Sequence, residues 1–262
     1  MTVQPYKQAV PVQANGQPVP VALYRPRGLS FAIHGIWKVG KSGFGCSGPL
    51  PVLLVDIEAA QPPPGRKIYW DPARQTVPRW DGSWDICVVM INDVGQIYAL
   101  ERILKSGQHD FNSISVDSVP MVAQRAMMAM AGTKKMERDD WGVLLRHIIG
   151  IVIGFKDLLV HPTKQVWAVT FIFPTHYDVK TRKMRPWLQG QAQDLMPYQA
   201  DVIGYMYQDQ QGRHMWIGPS DHYESGNRLW GALPLDMIIG HLGISDGWTA
   251  ETMVERVIAV NQ

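Results

Sequence analysis

The sequence predicts an α/β fold: a mostly parallel central sheet flanked by helices, with an extended N-terminal arm and a C-terminal hairpin-plus-helix extension. Three observations predict it. Short, almost wholly apolar segments alternate with segments of helical spacing, the pattern of a parallel sheet covered on both faces. The first apolar segment, 29–34, runs directly into a glycine-bounded loop. Two later ones, 51–56 and 111–117, each end in an aspartate.

Residues 1–28 carry Pro5, Pro11, Pro18, Pro20 and Pro26 with little periodicity. Proline fixes φ and removes a backbone donor, so an extended arm is expected there. Strands are expected over 29–34, 51–56, 84–90, 111–117 and 165–173, the last almost free of polar residues. Val94, Ile97, Leu100 and Leu104 lie at helical spacing within 92–106. Further helices are expected over 119–131 and 140–160. Segments 202–207 and 214–217, joined by Gln-Asp-Gln-Gln-Gly-Arg, read as a hairpin, and about 235–260 reads as helix. The division is an arm (1–28), a core (29–235) and a C-terminal helical extension (236–262).

Composition narrows the function. Of 262 residues, 46% are hydrophobic and 18% charged, which favours a folded chain over a disordered one. The net charge of +2 provides no global basic field, so any nucleic-acid site must be a local patch. The most apolar run, 148–155, is far shorter than the ~20 residues of a membrane span. No membrane partner is expected. The N-terminus lacks a basic-then-apolar leader, and Cys46 and Cys87 form neither a metal motif nor a disulfide framework. A cytoplasmic location is the expectation.

The loop after the first strand reads Gly35-Ile36-Trp37-Lys38-Val39-Gly40-Lys41-Ser42, a full match to G-x-x-x-x-G-K-[ST], the P-loop. The glycines allow the backbone to curl its N–H groups around phosphates. Lys41 reaches the β- and γ-phosphates, and the Ser42 hydroxyl ligates Mg²⁺. The expected ligand is a nucleoside triphosphate with Mg²⁺, contacted by residues 35–42 and by Gly43. Gly43, Gly45 and Pro49 imply a short helix after the loop. Ile36, Trp37 and Lys38 stand where P-loops often carry small residues, and Trp37 is expected to pack locally rather than on a base or a neighbouring subunit.

A P-loop needs a carboxylate for the metal. Asp117, at the end of an apolar strand, is the candidate beside Ser42. Asp56 also ends a strand, and Glu58 follows two residues later; a carboxylate there suits the role of base for the attacking water. Residue 118 is serine, so no glutamate follows Asp117, and this favours Glu58. His176, just past the strand ending at Phe173, is placed to face the γ-phosphate.

The order of these motifs resembles the phage-encoded RecA-like P-loop ATPases of recombination and single-strand annealing. The resemblance is carried by the P-loop, Asp56-Ile-Glu58-Ala, Val116-Asp117-Ser118, Thr175-His176, Leu188-Gln-Gly190 and Leu195-Met-Pro-Tyr-Gln-Ala-Asp201, over roughly 28–235. It implies a RecA-type core, ATP as the nucleotide, Glu58 as the residue that activates water and His176 as the γ-phosphate sensor. Two loops would face DNA, and both are basic here: Lys134, Lys135 and Arg138 in one, Lys180, Arg182, Lys183 and Arg185 in the other, with Tyr177 and Trp187 nearby. Cations neutralise phosphates and aromatic rings stack on unpaired bases. The implied partners are single-stranded DNA, further copies of the chain in a ring or filament, and a single-stranded-DNA-binding protein; the implied location is the host cytoplasm. Arg228 is a candidate arginine finger reaching across a subunit interface, and Tyr6-Lys-Gln-Ala9 resembles an element that docks one recombinase protomer on the next.

The leading expectation is a DNA-dependent ATPase that pairs or anneals strands, with ATP holding the DNA-tight form. The alternative is a nucleotide-gated module that loads or organises a replication or recombination partner with little turnover. A small-molecule kinase is disfavoured, because nothing suggests a lid with paired arginines.

Overall fold

A computed structural model describes residues 27–229, 231–240 and 247–260. The N-terminal arm, with Tyr6 and Ala9, lies outside the described residues apart from its last two positions. The elements are β1 (Leu29–Gly35), α1 (Lys41–Gly45), β2 (Val52–Asp56), β3 (Lys67–Tyr69), β4 (Ile86–Met90), α2 (Val94–Lys105), β5 (Ser113–Asp117), α3 (Val119–Ala131) and α4 (Arg138–Asp157). They continue with β6 (Ala168–Asp178), β7 (Lys183–Pro186), α5 (Ala192–Leu195), β8 (Val202–Asp209), β9 (Gly212–Trp216), β10 (Gly226–Asn227), β11 (Asp236–Ile238) and α6 (Ala250–Val260).

The sheet runs β11-β9-β8-β1-β6-β5-β2-β4-β3, with β10 on β8 and β7 on β6. From β8 to β3 every neighbouring pair is parallel. The expected mostly parallel sheet is therefore present. β1 lies between β6 and β8, neither of them its neighbour in sequence, so the loop after Gly35 opens at a crevice beyond the strands' carboxyl ends, where such sheets bind ligands.

Strand alternation divides the core into two layers. Ala32, Val55, Val116, Phe171 and Phe173 pack beneath Leu100 and Leu104 of α2, Val122 of α3 and Ile148, Ile151 and Phe155 of α4. On the other face, Phe31, Ile33, Ile172 and Met206 pack with Phe44 of α1 and with Ala250, Met253, Val254 and Val257 of α6. Buried Ser47, just past α1, accepts the Ala250 N–H on its hydroxyl and the Glu251 N–H on its carbonyl, both at 3.0 Å, and so seats the start of α6. Met253→Ala should cost about 2–5 kcal/mol, the range for emptying a buried methionine site. Urea denaturation would show this as a lower midpoint with an unchanged m-value.

Three local expectations need correction. Asp236–Ile238, where the helix expected over about 235–260 was to begin, is instead strand, antiparallel to β9; the described helical part is Ala250–Val260. Gly240 and Gly247 explain the difference. The Gly240 N–H bonds Trp248 at 2.9 Å, and a Cβ on Gly240 would lie 3.1 Å from the Gly247 carbonyl oxygen. Backbone packed on backbone this closely excludes a helix there. Second, β6 does not stop at Phe173: it continues to Asp178 and turns back as β7, so the basic stretch after His176 is a β-hairpin. Third, the edge strand β3 pairs with β4, where no strand was expected.

Among the described residues, no helix is long and apolar enough to cross a membrane.

Candidate nucleotide site

The site's residues converge at the carboxyl ends of β1, β2, β5 and β6. Gly35 ends β1, and the loop turns into α1 through Gly40, whose φ of 98° is left-handed and suits glycine. α1 is short, as expected, and sits very close to the sheet. A Cβ on Gly45 would collide with the Ser115 hydroxyl, and one on Gly48 would stand 2.5 Å from the Ser113 hydroxyl. Small polar residues on β5 thus make room for the segment that carries the phosphate loop.

Lys41 folds back over the loop and donates to the carbonyls of Gly35 (2.9 Å) and Ile36 (2.8 Å). Burial lowers its pKa, against the opposing pull of Asp117 and Glu58. The Ser42 hydroxyl hydrogen-bonds the Asp117 carboxylate, so the expected metal pair is in direct contact. Asp117 is raised to about 6: burial is the main cause, and the nearby Glu58 and Asp56 add to it while the Ser42 bond and Lys41 oppose it.

Asp56 and Asp117 are register partners on adjacent strands. Buried Asp56 accepts the Glu58 N–H at 3.1 Å and also bonds the backbone of Ala59 and Ala60. These bonds offset only part of the upward shift that burial imposes on Asp56. Asp56 therefore shapes the turn that carries Glu58, with Ala59 at a left-handed φ of 54°, and does not point out as a base. Glu58 is exposed and accepts a hydrogen bond from buried Ser118. Sequence reasoning registered Ser118 only as a missing glutamate; the structure makes it the residue that holds Glu58.

The donor set fits Mg²⁺. A hydroxyl and a carboxylate offer hard oxygen ligands, and the Asp117 and Glu58 carboxylates that interact with Lys41 also repel each other and Asp56, leaving excess negative charge. Among the described residues, no group of three or more His, Cys, Asp or Glu side chains could cage a metal alone. Mg²⁺ does not require one, since it binds through one or two protein oxygens, phosphates and water.

His176 lies on the strand beside β1, two residues past the Gly35–Pro174 register pair. Its Nε2 is 3.2 Å from the Gln193 side-chain nitrogen, and its Nδ1 is buried without a partner. On β1, fully buried His34 bonds the Thr175 hydroxyl (3.1 Å) and the Glu224 carbonyl (2.7 Å). Burial pulls His34 down to about 3, so it is a neutral link between β1, β6 and the 218–225 segment.

Other expected residues are placed differently. Trp37 does not pack locally: it is 82% exposed in the loop beside exposed Ile36, because none of the described residues covers it. Arg185 is not a free cation. It is buried in β7 and paired with Asp178 (3.0 Å), Asp194 (2.9 Å) and Glu224 (3.2 Å), so it holds the hairpin instead of meeting DNA. Lys183 is half-buried and donates to the Ser220 carbonyl at 2.6 Å. Lys180 and Arg182 at the hairpin turn are exposed, as are Lys134, Lys135 and Arg138 before and at the start of α4. Arg228 follows β10, which pairs with the first residues of β8, at the end of the sheet away from the P-loop. Its side chain donates to the Tyr198 carbonyl. At that end it is out of reach of a phosphate held by the P-loop of its own chain.

A family model described as an AAA domain matches residues 27–229, about three quarters of the chain. The chain belongs to this AAA domain family. The AAA domain match and the geometry agree: this is a P-loop ATPase domain, with the matched span running from just before β1 to just past β10. Comparison with curated proteins returned no match.

Proposed function

We propose that this AAA domain hydrolyses ATP in response to single-stranded DNA, in the manner of ATPases that serve recombination or strand annealing. One observation carries the reading. β6 is a single strand that passes the P-loop at Pro174, bears His176, and ends in a hairpin whose turn exposes Lys180 and Arg182. The side chain proposed to face the phosphate and a basic tip thus share one strand and its hairpin. Exposed Tyr177 and Trp187 flank the hairpin and suit base stacking.

In the proposed reaction the P-loop N–H groups and Lys41 bind the β- and γ-phosphates, and Lys41 exchanges its loop carbonyls for phosphate oxygens. Ser42 and Asp117 would hold Mg²⁺, which when bound neutralises phosphate charge. Glu58, oriented by Ser118 and by the Asp56 turn, accepts the proton of the attacking water. The exposed Ile36 and Trp37 in the loop suit a surface met by a second copy of the chain, which would bring Arg228 of the neighbour to the site. A cytoplasmic location and a single-stranded-DNA-binding protein as a further partner belong to the same reading.

The test is phosphate release with and without single-stranded DNA, with Lys41→Ala as control. Strong stimulation that the control lacks supports the proposal; slow turnover indifferent to DNA sinks it. The double substitution Lys180→Ala, Arg182→Ala should weaken DNA binding uniformly across sequences and lower the slope of log K against log salt by about 1–2. An unchanged slope would remove the hairpin from the interface.

A further inference from the structure

The His176 ring is held from one side and empty-handed on the other. An amide nitrogen can only donate, so the 3.2 Å contact makes Nε2 the acceptor and leaves the ring proton on Nδ1. That Nδ1 is buried and has no partner. A buried donor without an acceptor is unfavourable, and the cost is recovered when an acceptor arrives. Strand alternation puts His176 on the face of β6 that carries Ile172, the face on which Phe44 of α1 packs. A phosphate oxygen of a nucleotide in the P-loop would supply the missing acceptor on that side.

The neighbour of Gln193 extends the contact. His176 and Arg185 stand directly opposite each other across the β6–β7 ladder. Gln193 touches His176, and Asp194, the next residue of α5, pairs with Arg185 at 2.9 Å. Two consecutive side chains of α5 therefore grip both members of one cross-strand pair. Arg185 in turn binds Asp178, the last residue of β6 before the turn that exposes Lys180 and Arg182.

We propose that Gln193 is a positioning residue that fixes the His176 tautomer so that Nδ1–H is offered to the terminal phosphate, and that α5 thereby links phosphate occupancy to the setting of the β6–β7 hairpin. The proposal rests on the reading of His176 as phosphate-facing. Gln193 touches no reacting atom; it acts through His176. When the phosphate draws the ring forward, Gln193 follows, and Asp194 shifts against Arg185 at the root of the hairpin.

The test uses the full chain labelled with ¹⁵N at histidine, with the His176 signals assigned by their loss in His176→Gln. Long-range ¹H–¹⁵N spectra above the histidine titration range report which ring nitrogen carries the proton. The wild type is expected to be protonated at Nδ1, and the Nδ1–H signal is expected to shift on adding Mg²⁺ with a slowly hydrolysed ATP analogue. Gln193→Glu, whose carboxylate only accepts, should move the proton to Nε2. Gln193→Leu, which keeps the volume without the amide, should give a mixture. Both variants should lower kcat roughly tenfold or more, the scale of an outer-shell partner, with the KM for ATP little changed. A wild-type ring protonated at Nε2 overturns the proposal even where ATP is hydrolysed normally. A ring protonated at Nδ1 that ignores the triphosphate overturns the phosphate-facing reading, and the coupling falls with it.

Discussion

Glu58→Gln is expected to bind MgATP about as tightly as the wild type and to hydrolyse it roughly 10²–10⁴-fold more slowly, the range for removing a positioned general base. The geometry explains the separation of the two effects. Glu58 has Ser118 as its hydrogen-bond partner, whereas Lys41 donates to the loop carbonyls of Gly35 and Ile36. Glutamine keeps the shape and can still accept the Ser118 hydrogen bond, but it cannot take a proton from water. Single-turnover phosphate release alongside calorimetric nucleotide titration would check it. Loss of binding in step with turnover would place Glu58 in the binding machinery, and unimpaired turnover would pass the role of base to another group.

Asp117→Asn is expected to do the reverse to stability and function. At neutral pH the wild type holds an ionised carboxylate in a mostly buried position between two others. Its folded value, about 6, lies above the ordinary 3.8. A group raised in this way favours the folded state fully only when protonated, below about 3.8, and that contribution is lost as pH rises through about 6. The nucleotide-free variant should therefore be more stable than the wild type near pH 7.5, by about 2–3 kcal/mol, or roughly 4–10 °C in melting temperature. The advantage should shrink as pH falls from 6 toward 4. His34 works in the opposite sense: pulled down to about 3, it costs stability as pH falls below its ordinary 6.5. It is present in both proteins, so it cancels from the difference. Added Mg²⁺ and ATP should raise the wild-type melting temperature and leave the variant nearly unmoved. Equal stability of the two nucleotide-free proteins across this pH range would refute the account of Asp117.

The parallel core was legible because its strands are nearly continuous apolar runs and because β1 leads into a fixed motif. Asp117 and Ser42 were legible for a related reason: a strand end beside a P-loop leaves little choice of position. The misses share a cause, which is that tertiary partners decide them. Lys180, Arg182, Lys183 and Arg185 form one basic cluster in the sequence, yet Arg185 is buried by Asp178, Asp194 and Glu224, two of them beyond the hairpin itself. Gln193 and His34 carry no motif, Ser118 only follows Asp117 in one, and all three gain meaning from what they touch. The strand at Asp236–Ile238 replaced the expected helix because Gly240 and Gly247 must meet backbone to backbone.

The seating of α6 on Ser47 joins residues 203 positions apart in the chain. Contacts of such separation form late, because the intervening chain must first be made and closed into a loop. During synthesis the helical layer over β2, β4 and β5 can assemble early, whereas the face that bears α1 stays partly bare until α6 leaves the ribosome. The layer that backs the phosphate loop is therefore completed after the opposite layer, and the phosphate-binding end firms up last as the domain folds.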